Sequence, residues 1–127
     1  EGYEQVDFET LLTQSDIISV HAPLNEHAEG LINSKAFEKM KSSCIFLNLG
    51  RGPIVDEQAL YNALVRNQIA AAGLDVLCKE PMSADNPLLK IKDSKRLLIT
   101  PHIAWASVEA RTHLMEIIHG QVKDFFA

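Results

Sequence analysis

Apolar positions along the chain alternate between helical spacing and short continuous runs. In residues 7–14 (DFETLLTQ), Phe8, Leu11 and Leu12 share one helical face. Residues 16–22 (DIISVHA) form an apolar run that predicts a buried strand, stopped by Pro23. Asn33 is positioned to cap a helix running through Lys41, with Ile32 before the cap and Phe37 inside it as a hydrophobic staple. Residues 45–49 (IFLNL) predict the next strand, ended by Gly50-Arg51-Gly52-Pro53.

Asp56 is placed to cap a further helix, with Glu57 in the first turn where negative charge suits the helix dipole. Leu60, Ala63 and Leu64 form its apolar stripe. Residues 70–77 (AAAGLDVL) predict a third strand whose small residues would let a helix approach closely. Residues 78–95, with Pro81 and Pro87, read mainly as loop, and residues 96–100 (RLLIT) as a fourth strand closed by Pro101. Ser107 then caps a long final helix in which Val108, Met115, Ile118, Val122 and Phe125 recur at helical spacing. Strands alternating with helices imply βαβ units, so the predicted class is α/β with a mostly parallel sheet.

Composition adds bounds rather than detail. The 127 residues carry a net charge of −5, with 46% hydrophobic and 23% charged positions, which is ordinary for a globular domain. A chain of this length buries about two-thirds of its unfolded surface, so no staple is required. No basic stripe points to nucleic acid, and no apolar run approaches the ~18 residues of a membrane span. Cys44 and Cys78 lack CxxC partners; Cys44 opens an apolar run and reads as a small buried hydrophobe. Reduced thiols without a leader segment imply a cytoplasmic protein. The first residue is Glu1, and the expectation is a piece of a longer chain.

In open parallel sheets, ligands bind beyond the carboxyl ends of the strands. The residues at those ends are His21-Ala22-Pro23, Gly50-Arg51-Gly52, Asp75 with the loop to Glu80, and His102. Arg51 lies between glycines that permit close approach to main chain, and its planar fork suits a carboxylate; a surface arginine in a turn is the alternative. Glu80 reads either as a solvated carboxylate or as the partner of a histidine. His102 is either structural or, with a carboxylate on one ring nitrogen, a general acid–base at the other. His21 either lines the crevice or caps its strand, and solvated positions account for His27, His113 and His119. No cluster has metal-ligand spacing, so no metal is expected.

Four blocks make the pattern specific. The run Leu47-Asn48-Leu49-Gly50-Arg51-Gly52-Pro53-Ile54-Val55-Asp56-Glu57 resembles the second signature of the D-isomer-specific 2-hydroxyacid dehydrogenases. Gly73-Leu74-Asp75-Val76-Leu77, followed by Glu80-Pro81, resembles their third signature, and Thr100-Pro101-His102-Ile103-Ala104-Trp105 the block with their catalytic histidine. Val20-His21-Ala22-Pro23-Leu24 is similar to the stretch lining their cofactor cleft. The blocks stand in family order across nearly the whole chain.

The resemblance implies hydride transfer between NAD, with NADP left open, and a small 2-hydroxy or 2-oxo acid. Arg51 would clamp the substrate carboxylate, His102 would protonate the carbonyl oxygen, and Glu80 would support that histidine. Asp75 would bond the nicotinamide carboxamide. Ala22, Leu49, Gly50, Arg51, His102, Ala104 and Trp105 would line the cofactor site. Residues 78–82 and 102–107 most resemble glycerate dehydrogenases, the hydroxypyruvate reductases, and the resemblance implies a homodimer in the parent protein.

The family binds the cofactor's pyrophosphate at a G-x-G-x-x-G turn, with an acidic residue about twenty positions on for the ribose. Neither occurs here. The expected fold is therefore a partial Rossmann-like doubly wound parallel sheet of about four strands with flanking helices. Residues 1–127 would be the second half of a nucleotide-binding domain, lacking the glycine-rich half and the substrate domain and inactive in isolation. A nicotinamide-nucleotide-sensing, corepressor-like interaction module on the same fold is the alternative. Residues 16–22 would leave an open strand edge that invites self-association.

Overall fold

A computed structural model describes residues 2–126. Helix α1 (Phe8–Gln14) leads into strand β1 (Ile17–Val20), followed by α2 (Ser34–Lys39), β2 (Ile45–Asn48), α3 (Glu57–Val65), β3 (Ala71–Leu74), β4 (Leu97–Ile99) and α4 (Val108–Phe125). Short 3-10 turns at Gly52–Ile54 and Pro87–Lys90 interrupt the loops. The four strands pair in sequence order, β1-β2-β3-β4, and all pairs are parallel. The α/β class and the partial doubly wound sheet expected from the pattern are what the chain adopts. Among the described residues, no helix is long and apolar enough to cross a membrane.

The helix starts follow local chemistry. Asp7, Asn33, Asp56 and Ser107 each accept backbone N–H groups of the first turn, satisfying donors that have no partner inside the helix. Ile32 and Phe37 flank the α2 cap and are both buried, as a hydrophobic staple requires. Helix α3 ends with Asn67 in the left-handed region at φ 56°. There the Asn67 N–H bonds Leu64 O and the Gln68 N–H bonds Ala63 O, the paired closure of a Schellman motif.

Register makes the two sheet faces unequal. The rows Ile18–Phe46–Ala72–Leu97 and Val20–Asn48–Leu74–Ile99 face the helices, where Phe46 meets Phe37 edge-to-face at 5.5 Å. Leu12 of α1, Leu60, Ala63 and Leu64 of α3, and Ile69 complete this core. The opposite rows, Ile17–Ile45–Ala71 and Ser19–Leu47–Gly73–Leu98, are uncovered, with Ile17 61% and Leu98 62% exposed. Residues 16–22 were expected to be a buried strand; β1 is shorter, stands at the sheet edge and buries one face only.

Two further expectations change. Of the small residues of β3, Ala72 is buried on the helix-facing side as expected, whereas Ala71 and Gly73 lie on the uncovered face, where a Cβ on Gly73 would meet the Leu47 side chain at 2.9 Å. None of the α4 residues is buried, so its apolar stripe packs on nothing in the described chain. Register at the far edge is held instead by Arg96. Its guanidinium donates to Ala70 O (2.7 Å), Leu64 O (2.7 Å) and Asn67 Oδ1 (2.9 Å), tying the end of α3 and the start of β3 to β4.

Candidate active site

The last register row, Val20–Asn48–Leu74–Ile99, sets all four strand ends at one edge of the sheet. Segments 21–24, 49–53, 75–80 and 100–105 therefore emerge side by side, as the parallel topology predicts.

The Gly50-Arg51-Gly52 turn is organised from below by Asn48, a buried amide at the end of β2. Its Nδ2 donates to Arg51 O (3.0 Å) and its Oδ1 accepts the Gly50 N–H (3.1 Å). Both glycines are sterically required. A Cβ on Gly50 would stand 2.9 Å from Ala22 O, and one on Gly52 would overlap the Leu77 carbonyl. Arg51 is thereby joined through Gly52 to the loop that carries Glu80. Its side chain is exposed and folds back, Nη1 donating to Gly50 O at 2.8 Å. The remaining guanidinium N–H groups have no partner among the described residues, leaving a planar donor set for an anion.

Glu80 and His102 are brought together across 22 residues. Glu80 Oε2 lies 2.9 Å from His102 Nδ1, and Oε1 accepts the Leu77 N–H at 2.9 Å. The Leu77 bond, then the His102 bond, hold the Glu80 carboxyl below the ordinary carboxylate range. An ionised Glu80 accepts only, so Nδ1 of His102 carries the proton of this bond, and Nε2 is the nitrogen left for chemistry.

Asp75 holds the histidine segment in place. It is 3% exposed. Its Oδ1 accepts from the Thr100 hydroxyl (2.6 Å) and the Ile103 N–H (2.9 Å), and its Oδ2 from the Ala104 N–H (2.8 Å). Burial raises its pKa, but these bonds outweigh it and the carboxyl titrates below its ordinary value. The expected partner of Asp75 was a carboxamide; in the structure its carboxylate is occupied by the 100–104 loop. Within that loop His102 sits at φ 56°, and its carbonyl accepts Trp105 Nε1 at 2.8 Å.

Asp75, Glu80 and His102 line a cleft of about 880 Å³ together with apolar side chains that include Met82, Leu88, Leu97 and Ile99, and with the charged Lys92. Arg51 is outside its lining. His21 is outside the lining as well, and its Nε2 lies 2.8 Å from Ser19 Oγ. His27 and His113 are solvated, as expected. Cys44 is fully buried, as expected of a small hydrophobe, and no three metal-ligating side chains converge among the described residues.

Three contributors escaped the sequence reading: Asn48, Thr100 and Glu57. Asn48 carried a signal, a lone amide inside an apolar strand run. Thr100 reads in the sequence as the last residue of a strand closed by Pro101, and Glu57 as a first-turn acid.

The site also suits the nicotinamide end of a dinucleotide. Gly50 keeps side chains off the rim beside Ala22, and Leu49, Ile103 and Trp105 expose apolar surface around it. Among the described residues, nothing resembles a glycine turn opening a helix for the phosphates.

A family model described as D-isomer specific 2-hydroxyacid dehydrogenase, NAD binding domain, matches residues 1–104. The chain is 45% identical over 125 residues to a hydroxypyruvate reductase of Blautia hydrogenotrophica, covering 98% of this chain and 38% of that protein. It is 43% identical over 122 residues to a glycerate dehydrogenase of Methylorubrum extorquens, covering 96% and 38%. Among solved structures, an acyclic imino acid reductase in complex with NADPH and D-Arg superposes with a TM-score of 0.86 at 36% identity, covering 99% of this chain and 39% of that one. A D-lactate dehydrogenase with NAD+ from Lactobacillus jensenii superposes with a TM-score of 0.75 at 35% identity, covering 88% and 37%. The chain thus spans about two-fifths of the length of these relatives.

Proposed function

The chain belongs to the D-isomer specific 2-hydroxyacid dehydrogenases, in the part that forms their NAD-binding domain, and from that premise we propose that it supplies the catalytic residues of an oxidoreductase acting on a small 2-hydroxy or 2-oxo acid. The working enzyme is a longer parent chain that adds the phosphate-binding half and a substrate domain. Hydroxypyruvate, glyoxylate and glycerate are the favoured substrates, because the curated relatives include a hydroxypyruvate reductase and a glycerate dehydrogenase. The parent is a cytoplasmic homodimer, a setting that suits the unpaired Cys44 and Cys78.

The observation that carries this reading is the Glu80–His102 pair at the strand-end rim that also presents Arg51. Arg51 unfolds from its own turn to grip the substrate carboxylate with two parallel hydrogen bonds. Its charge also draws electron density from the adjacent carbonyl. His102 holds a proton at Nε2 and delivers it to the C2 oxygen, while Glu80 at Nδ1 stabilises the imidazolium before transfer and fixes the ring. The nicotinamide, when bound, supplies the hydride that C2 receives. Together the hydride and the proton convert a 2-oxo acid to a 2-hydroxy acid. Ala22, Leu49, Gly50, Ala104 and Trp105 would hold the nicotinamide, and Asp75 fixes the 100–104 segment, with lone-pair capacity on Oδ2 that would suit a carboxamide.

The test is the parent enzyme assayed with NADH and NADPH against hydroxypyruvate, glyoxylate and pyruvate. Turnover with at least one 2-oxo acid is expected, reduced about 10²–10⁴-fold by His102→Ala. Undiminished turnover in that variant would remove His102 from the mechanism.

A further inference from the structure

Glu57 occupies the first position of α3, where an acid ordinarily needs no partner beyond the helix dipole and water. Here both of its oxygens are used, by a segment distant in sequence. Oε1 accepts the Cys78 N–H at 2.8 Å and Oε2 accepts Asn86 Nδ2 at 2.8 Å. Cys78 and Asn86 bracket the loop that carries Glu80. Asn86 is itself buried, and its Oδ1 accepts the Leu88 N–H at 2.9 Å, seating the 3-10 turn that closes the loop. Next to the first bracket point, the Leu77 N–H donates to Glu80 Oε1, whose other oxygen meets His102.

We infer that Glu57 is a positioning residue for the Glu80–His102 pair: its carboxylate clamps both ends of the 78–86 loop and so sets where the Glu80 carboxylate meets the imidazole. The inference rests on the reading of that pair given above. Glutamine at position 57 has one acceptor oxygen for two donors, and its amide N–H groups would face the Cys78 N–H or the Asn86 amide. One bracket point must let go. The loop then gains freedom at its base, and the Glu80–His102 bond lengthens or is populated for less of the time. In metal sites, losing a hydrogen-bonded partner of a ligand costs about 10–100-fold, and Glu57, which acts through the loop, is expected at the lower end of that range.

The experiment is NMR of the chain with 15N-labelled histidine rings, comparing the wild type with Glu57→Gln, Glu57→Asp and Glu80→Gln. In the wild type, the His102 Nδ1–H is expected as a downfield, exchange-protected resonance. In Glu57→Gln it should move most of the way to its position in Glu80→Gln, while backbone amides of Phe46 and Leu74 stay in place. Glu57→Asp, which keeps the charge on a shorter arm, should recover part of the signal. Asn86→Asp gives a second route that leaves α3 untouched. It retains the acceptor for the Leu88 N–H but sets a carboxylate against Glu57, and should shift the resonance the same way even if Glu57→Gln does not fold.

A His102 resonance unmoved in a folded Glu57 or Asn86 variant would overturn the inference alone. A wild type without a protected Nδ1–H would overturn both the inference and the pairing it rests on. In the active parent enzyme, Glu57→Gln should lower kcat about tenfold or more with KM for the 2-oxo acid little changed. If the resonances respond as described but the parent reduces no 2-oxo acid, the proposed function fails and the positioning role stands.

Discussion

Gly52 packs directly against the Leu77 carbonyl, with no room for even one added carbon. The contact welds the arginine turn to the base of the Glu80 loop. Both flanking segments are main chain and cannot swing aside as a flexible side chain would. Gly52→Ala is therefore expected to destabilise the chain by about 3 kcal/mol or more, beyond the usual cost of overpacking. Urea unfolding followed by circular dichroism measures it, and a loss under about 1 kcal/mol would mean that the two loops separate easily.

Glu80 Oε2 lies 2.9 Å from His102 Nδ1, and the proposed function makes this pair the site's proton-handling unit. Glu80→Gln keeps the shape but replaces the acceptor by an amide that can pair with the wrong ring tautomer. In the parent enzyme a loss of about 10²-fold or more in kcat is expected, by analogy with other carboxylate–imidazole pairs in which the carboxylate fixes the tautomer. Steady-state kinetics with hydroxypyruvate would reveal it. Equal kcat would reduce Glu80 to a loop anchor.

Acid should weaken the fold through Asp75 and Glu80. Both carboxyls titrate below their ordinary values of 3.8 and 4.5, Asp75 because the bonds to Thr100, Ala104 and Ile103 outweigh its burial, and Glu80 through Leu77 and then His102. A folded pKa below the unfolded one means that the stabilisation is complete above the ordinary value. It is lost as pH falls through the lowered one. Unfolding free energy should thus carry their full contribution, with no pH dependence from these groups, between about pH 6 and 7 and should decline below the ordinary carboxylate range. Asp75→Asn, though less stable overall, should show a shallower decline; an identical slope would remove Asp75 from the acid response.

The two thiols should be poor nucleophiles. Burial of Sγ, with the charge of Glu57 adding to it, pushes the Cys78 thiol up to about 11, although the residue as a whole is exposed. Sγ turns inward to Val55 O at 3.5 Å. At pH 8 its iodoacetamide alkylation should be about tenfold or more slower than that of a free thiol, and Cys44 should react more slowly still. Mass spectrometry of timed aliquots reads both rates, and rapid modification of Cys78 would contradict the inward pose.

The uncovered sheet face, the β1 edge and the unpacked α4 stripe expose contiguous apolar surface. Sedimentation of the 127-residue chain at tens of micromolar is expected to show dimers or larger species, diminished by Ile17→Lys. A monomer throughout would show that these surfaces tolerate water.

Much of this was legible in the residues because it is local. The caps Asp7, Asn33, Asp56 and Ser107 act within three residues of themselves, and each helix begins where its cap stands. The stripe Leu60, Ala63 and Leu64 is buried as its spacing implies. Periodicity names the apolar face of an element but not whether anything arrives to cover it. Ile17 and the α4 stripe therefore read as buried or packed and are exposed. The same limit applies at the site. Glu80 and His102 were legible by resemblance, whereas Glu57 acts on residues 21 and 29 positions away and left no local mark. Asp75 reads from the resemblance as a partner for a cofactor amide, and nothing in the sequence shows that Thr100, Ile103 and Ala104 also fold back onto its oxygens.

The positive φ of His102 has a consequence for the history of such sites. A left-handed backbone costs an ordinary residue about 1–2 kcal/mol, and glycine or asparagine would relieve most of it. The side chain proposed to handle the proton thus stands where the backbone favours a chemically inert replacement. Stability and turnover pull in opposite directions at this single codon. A lineage released from selection for catalysis would gain thermal resilience by discarding its histidine first, so copies of this fold that have turned to other work should be recognisable by glycine or asparagine at that place.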